Sequence, residues 1–311
     1  MLNFKMCGFY KLAAVNAKTG KTRVLADWFP NLITDIGLDY LATHSDFIRY
    51  CYVGSGSTTP TFSDTGLANH VATFDSTQYI TVNDKVQSVN STSPYYRYFR
   101  GTYRFGIGVA AGNLSEVGVG WGANHVGSTF SRALILDAYG NPTTITVLSD
   151  EYLDVTYEYR LYPNETDVTG SLTFTGNKGA TYDWTIRPGN ITYLPTLVGT
   201  NMYFPRAMTT LYGGSDTSRL PGVSESDIGT ITSTLAYNSA SAVYSAYVNG
   251  NHYVDCTITV ALTQGNFATG IHKFGINICG CGWQIGIASP YILKTSSDIV
   301  TITLRVSWAR V

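Results

Sequence analysis

The strongest constraint in this sequence is strict period-two alternation of apolar and polar residues. Val155, Tyr157, Tyr159 and Leu161 alternate with Thr156, Glu158 and Arg160, and Val300, Ile302, Leu304, Val306 and Trp308 alternate with Thr301, Thr303, Arg305 and Ser307. Successive side chains of a strand point to opposite faces, so such runs predict strands with one buried face. A third run, Val254, Cys256, Ile258, Val260 and Leu262, follows the hairpin signal Asn249-Gly250. Further turns are expected at Thr19-Gly20, at Tyr139-Gly140-Asn141-Pro142 and at Gly176-Asn177-Lys178-Gly179. Short strands between such turns, with little helical periodicity and no fixed-period repeat, predict an all-β chain of antiparallel sandwiches with minor α content.

One segment departs from this pattern. After Pro30, Asn31 is placed to cap a short helix near 31–43, in which Leu32, Ile36 and Tyr40 share a face and Asp35 and Asp39 lie on another. A second, weaker helix is expected after Thr65, through Leu67, Ala68 and Val71. The polar turn at Pro163 to Thr169 marks the expected division into an N-terminal sandwich, 1–165, and a C-terminal sandwich, 166–311. The stretch from Asn201 to Thr230, with Pro205, Gly213-Gly214 and Pro221, reads as a long exposed loop, and loops of that length often carry function.

Composition narrows the classes of function. Only 13% of the 311 residues are charged and the formal net charge is −1, which removes the electrostatic case for nucleic acid or an anionic membrane as main partner. The stretch Phe105 to Trp121 is cut by Gly108, Gly112, Asn113 and Glu116, well short of the roughly 18 apolar residues of a membrane helix. Lys5 and Lys11 interrupt what would be the apolar part of a secretion signal, and the 5 cysteines are scattered, so a chain made in a reducing cytosol is expected.

Signatures of catalysis are weak. His44, His70, His125, His252 and His272 show no metal spacing, and Gly54-Ser55-Gly56 is followed by no lysine or helix start for phosphate binding. Cys279 and Cys281, read as one strand, would have Cβ atoms nearly 7 Å apart, beyond the roughly 3.5 to 4.5 Å of a disulfide. Carboxylate pairs for sugar hydrolysis can be drawn from Asp150, Glu151 and Asp154 or from Glu225 and Asp227, but such clusters are common in solvated turns. The run from Tyr95 to Phe105 has the composition of a stacking platform, yet as a strand it puts Phe99, Tyr103 and Phe105 inside and Arg100, Thr102 and Arg104 outside. In the run Gly118, Gly120, Gly122, alternating with Val117, Val119 and Trp121, one strand face lacks side chains and permits close approach of another backbone; Cys279 to Trp283 repeats the device. No catalytic residue, metal or cofactor is expected.

Two longer phrases carry a resemblance. WFPNLITDIGLDYLA (Trp28 to Ala42) and CYVGSGSTTPTFSDTGLANHVA (Cys51 to Ala72) resemble the N-terminal pattern of tailed-bacteriophage virion proteins of the tail, tail-fibre or tail-tip type, and LSEVGVGW (Leu114 to Trp121), Phe130 to Tyr162 and VSWARV (Val306 to Val311) suit the same group. The resemblance implies a non-enzymatic structural protein, assembled in the host cytoplasm into the virion tail. It further implies homo-oligomers, as trimers or rings, and contacts with other tail proteins, a collar or capsid-decoration position being the nearest alternative. A second expectation is a host-surface glycan-binding protein in which Tyr203, Phe204 and Tyr212 of the 201–230 loop stack on sugar rings and Asp216 or Glu225 bond hydroxyls.

Overall fold

The computed structural model describes residues 1–75, 86–89, 91–174, 180–189, 204–206, 210–215, 233–237 and 242–311. Among these residues the chain is nearly all β, with strands numbered here along the chain. The largest sheet runs β17 (Ala242–Tyr244), β18 (Tyr253–Val260), β21 (Val300–Arg310), β1 (Leu2–Asn16), β12 (Glu151–Pro163), β7 (Tyr96–Phe105), β6 (Val86–Val89), and β2 (Thr22–Pro30) also pairs with β1. A five-stranded sheet has the order β3 (Leu32–Ile33), β10 (Thr129–Leu134), β9 (Glu116–Gly120), β4 (Tyr50–Gly54), β5 (His70–Asp75). A six-stranded sheet runs β13 (Val168–Thr173), β14 (Thr181–Pro188), β20 (Cys281–Ile287), β19 (Lys273–Ile278), β15 (Thr210–Gly214), β16 (Ser233–Tyr237), and β8 (Gly112–Leu114) pairs with β11 (Ile145–Val147).

Alternation builds the central sheet. On β1 the even positions Leu2, Phe4, Met6, Tyr10 and Leu12 are buried, and on β12 Leu153, Val155, Tyr157, Tyr159 and Leu161 join them. This inner face packs on both other large sheets. Toward the five-stranded sheet, the Tyr10 hydroxyl lies 2.8 Å from Ser131 Oγ, the Tyr103 hydroxyl donates to the Ile48 carbonyl, and Tyr159 meets Phe47 and Phe130 edge to face. Toward the six-stranded sheet, Phe4 lies edge-on to Trp283 at 5.4 Å and buried Arg97 donates to the Gly280 carbonyl. One large contiguous core results, running from Leu2 to Trp308, with a small separate cluster of Tyr50, Tyr52 and Leu67.

The expected division at 165/166 is not a break in this arrangement. β21 pairs in parallel with the start of β1, Leu2 opposite Val306 and Phe4 opposite Trp308, and β18 continues the same sheet on the far side of β21. Strands from both sides of the turn after β12 therefore share one sheet, which a local reading of turns does not show.

The helix α1 spans Asp35–Tyr40, later than its expected start. Its N-cap is Thr34, whose Oγ1 accepts from the Gly37 amide at 3.0 Å, and not Asn31. Asn31 instead accepts from the Gly8 amide at 2.9 Å, and Leu32 and Ile33 are drawn into the sheet beside β10. Pairing to a strand outweighs the weak local preference for one more helical turn. The second helix is not formed: Leu67 and Ala68 lie in irregular backbone and Val71 in β5. Cys279 and Gly280 form the turn between β19 and β20, with φ of 54° and 70°, so Cys279 does not share a strand with Cys281; all five cysteines are free thiols. The expected loop 201–230 contains strand β15, and the expected turn at 176–179 lies outside the described residues.

Candidate functional site

The outward face of the central sheet gathers the polar half of the alternating strands. Register sets Cys7, Arg160 and Tyr98 in one row across β1, β12 and β7, and Phe9, Glu158 and Arg100 in the next. Arg100 Nε donates to Glu158 Oε2 at 2.7 Å and Arg160 Nε to Glu158 Oε1 at 2.5 Å, so one carboxylate is clasped by two guanidinium groups. The Glu158 side chain is only 1% exposed because the two arginines cover it, while their own remain 32% and 27% exposed. Each guanidinium also lies over aromatic rings: Arg160 over Phe9 at 4.2 Å and Tyr96 at 4.7 Å, Arg100 over Tyr98 at 4.9 Å and Trp28 at 5.1 Å. Planar, weakly hydrated guanidinium groups suit such stacking, each contact contributing about 0.5 to 1 kcal/mol at an exposed site.

The pattern continues across β21 and β18. Arg305 makes two hydrogen bonds to Asp255, at 2.8 and 2.9 Å, and lies 3.8 Å from the centre of the Tyr253 ring. Threonine pairs fill the rows between, Thr102 with Thr156 and Thr257 with Thr303. The face is thus a rigid, partly exposed surface of Arg, Tyr and Thr whose charges are mostly balanced in place. Arg and aromatic side chains are the residue types most often found at the energetic centre of protein interfaces.

A second constellation organises the segment that follows β4. Glu116, fully buried at the start of β9, accepts from the backbone amides of Gly56, Ala68 and Asn69 and from Arg132 Nε. Arg132 continues to Asp64 and to the Thr58 carbonyl. An unpaired charge at this depth would cost about 3 to 5 kcal/mol, so the four-way contact is what lets the loop between β4 and β5 hold one conformation. Beside it His125 Nδ1 accepts from the Leu67 amide, and its ring stacks on His70 at 4.6 Å. Glu116 and Arg132 carry no chemical motif in the sequence; the only sign of them is a carboxylate set among valines and glycines.

Of the aromatic residues expected to grip a glycan, the two that are described, Phe204 and Tyr212, form no exposed platform. Tyr203, Asp216 and Glu225 lie outside the described residues. Phe204 is a core residue, 7% exposed, edge-on to Phe4 at 5.4 Å and to Trp308 at 5.7 Å, which corrects its reading as an exposed ring. Tyr212 is half-buried within β15, held between Thr234 and Gly275 of the neighbouring strands.

Of the carboxylates considered for sugar hydrolysis, Asp150 accepts from the Asn16 side-chain amide at 2.8 Å, and Glu225 and Asp227 lie outside the described residues. Hydrogen bonds from Arg23 hold the Glu151 carboxyl below its usual range, and Asp154 pairs with Arg104 at 2.6 Å. Burial raises the Cys281 thiol to about 11 and the Cys256 thiol likewise, far from a reactive thiolate. Among the described residues no three His, Cys, Asp or Glu side chains are grouped to hold a metal ion. No family model matches the chain, and comparisons with curated proteins and with solved structures yield no match.

Proposed function

We propose that this chain is a non-enzymatic structural component of a bacteriophage virion, belonging to the tail as a fibre, tip or baseplate-associated protein, and that the outward face of the central sheet is its assembly surface. The observation that carries the reading is that face: Arg100, Arg160 and Arg305 held flat against aromatic rings and carboxylates, with no loop needed to order them. A surface already rigid in the free chain loses little conformational entropy when a partner covers it. Two further features support the proposal. The phrases that resemble tail proteins, Trp28 to Ala42 and Cys51 to Ala72, build α1, β4 and the loop anchored by Glu116, and Arg310 of the closing phrase bonds Asp35 and the Ile33 carbonyl. Low charge also suits a chain that buries much of its surface in an assembly.

The test is the solution mass of the purified chain by light scattering across a concentration series, beside the variant Tyr98→Glu. The expected result is a trimer or larger ring for the parent and a shift to monomer for the variant, with thermal unfolding of the variant close to that of the parent. A parent that stays monomeric at every concentration, and that antibodies fail to find on virions, overturns the proposal.

A further inference from the structure

A shallow groove lies between α1 and two distant segments, the residue after β9 and the loop between β17 and β18. It has a volume of about 350 Å³, and Asp39, Tyr40, His44, Trp121, Tyr247 and Asn249 contribute to its walls. That size is at the small end of ligand pockets, which run from about 300 to 1,000 Å³. The rings of His44, Tyr40 and Trp121 form one parallel stack, with centroids 4.0 and 3.9 Å apart and planes within 9° and 7°. The stack itself covers both faces of Tyr40 and leaves the outer faces of His44 and Trp121 as its two ends.

The polar groups are fixed or free in a way that suits a ligand. Asp39 Oδ1 accepts from the Tyr247 hydroxyl at 2.5 Å and from the Gly250 amide at 2.8 Å, which ties the loop between β17 and β18 to the helix. Tyr40 donates to Asp46 at 3.0 Å, so its ring is held at both ends. Tyr247 stacks on buried Trp308, which fixes the far wall to the core. Asn249 and Thr43 are exposed at the rim, where the Thr43 hydroxyl lies 2.9 Å from His44 Nδ1.

We infer that this groove binds a neutral pyranose, with the sugar ring against the indole of Trp121 and its hydroxyls bonded by Asn249, Thr43 and the Asp39 carboxylate. Three features of the chemistry exclude the nearest alternatives. No Lys or Arg is among the described residues that line the groove, and Asp39 would repel a phosphate or carboxylate. A quaternary ammonium is held by rings set around it, whereas these rings lie parallel in one stack. An apolar chain would shut water from the Asp39 carboxylate and offer the Asn249 amide no hydrogen bond. A pyranose offers apolar C–H faces to an aromatic ring and hydroxyls that both donate and accept, which matches each group present. The groove and the assembly face are built from different residues, so the inference stands or falls apart from the assembly proposal.

The experiment titrates the full chain with the methyl glycosides of glucose, galactose, mannose and N-acetylglucosamine, followed by calorimetry and by saturation-transfer NMR, with choline as the comparison ligand. Saturable binding of at least one glycoside is expected, weakened about tenfold or more by Trp121→Ala and by Asn249→Ala, since each tenfold is about 1.4 kcal/mol of lost contact. Asn249 is exposed, so that variant is expected to keep the parent's thermal unfolding and decides the matter even where Trp121→Ala is unstable. Absence of saturable binding by all four glycosides, binding of choline in their place, or equal affinity in parent and Asn249→Ala overturns the inference.

Discussion

His70 and His125 stack face to face at 4.6 Å beside the loop that Glu116 anchors, and burial lowers the pKa of both below the ordinary value of 6.5. His252, close to Asp39, is lowered by burial as well. A histidine whose folded pKa is depressed binds its proton less readily in the folded than in the unfolded chain. Its contribution to stability is therefore full above pH 6.5 and is lost as the pH falls from 6.5 through the folded value. For His125 the neighbouring His70 adds to the effect of burial, and protonation would also take from its Nδ1 the lone pair that accepts from the Leu67 amide. The melting temperature is expected to fall by a few degrees between about pH 7.5 and about pH 5.5, and to fall less in His70→Gln, where His125 gains its charge without a second ring cation stacked on it. Calorimetric scans at both pH values check this; a parent as stable at the lower pH as at the higher would mean the loop does not respond to these rings.

At the scale of elements, the glycine face of β9 shows how local pattern and long-range packing divide the work. A Cβ on Gly120 would collide with the Ser128 carbonyl, and one on Gly118 would come within 2.9 Å of the Ser131 carbonyl, so the bare face is filled by the chain's own strand β10 and the turn before it. Backbone cannot yield as a flexible side chain can, and Gly120→Ala is expected to cost about 1 to 3 kcal/mol. Gly106→Ala is the matched control: its nearest atom would be a Val109 methyl at 3.4 Å, and it is expected to be near neutral. Chemical denaturation of both variants checks the contrast, and equal midpoints would mean β9 and β10 can part without penalty. The glycine spacing was legible in the sequence, as were the inner and outer residues of β7, β12, β18 and β21, because alternation is a property of one strand; Leu262, expected to extend the buried face of β18, lies past the strand's end and is exposed. The cap of α1 and the second helix were misread because their outcome depends on β10 and on Glu116, neither of which is near in sequence. The Arg100–Glu158–Arg160 clasp was half legible: each outward residue could be placed on its face, but which of them meet depends on register between strands far apart in the chain. The groove at α1 was illegible for the same reason, since it joins residue 40 to residues 121 and 247.

For the whole molecule, the parallel pairing of β1 with β21 decides whether the chain is one folding unit or two. Leu2, Phe4 and Met6 of β1 are fully or almost fully buried, and one side of their surroundings comes from beyond residue 166: Val306 and Trp308 on the neighbouring strand, Trp283 and Phe204 against Phe4, while β12 and the Tyr159 hydroxyl on Met6 Sδ lie on the other side. Trp308 also donates to the Leu38 carbonyl, and Arg310 bonds Asp35 and the Ile33 carbonyl, so the C-terminal strand holds the helix in place. A fragment comprising 1–165 would uncover the side of those three side chains that faces the C-terminal half and leave one edge of Leu2 to Met6 without a partner, while fragment 166–311 would lose the strand on which β21 rests. Fully burying each of the three side chains is worth about 1.5 to 3 kcal/mol, so losing even half of that burial, together with the β21 pairing, removes a large share of the stability of a typical domain, about 5 to 15 kcal/mol. Each fragment alone is therefore expected to show no cooperative thermal transition, and the two expressed together are expected to associate and recover one. Circular dichroism melts of the separate and combined fragments test this directly: a sharp transition for 1–165 alone would establish two autonomous domains and restore the division suggested by the turn after Pro163.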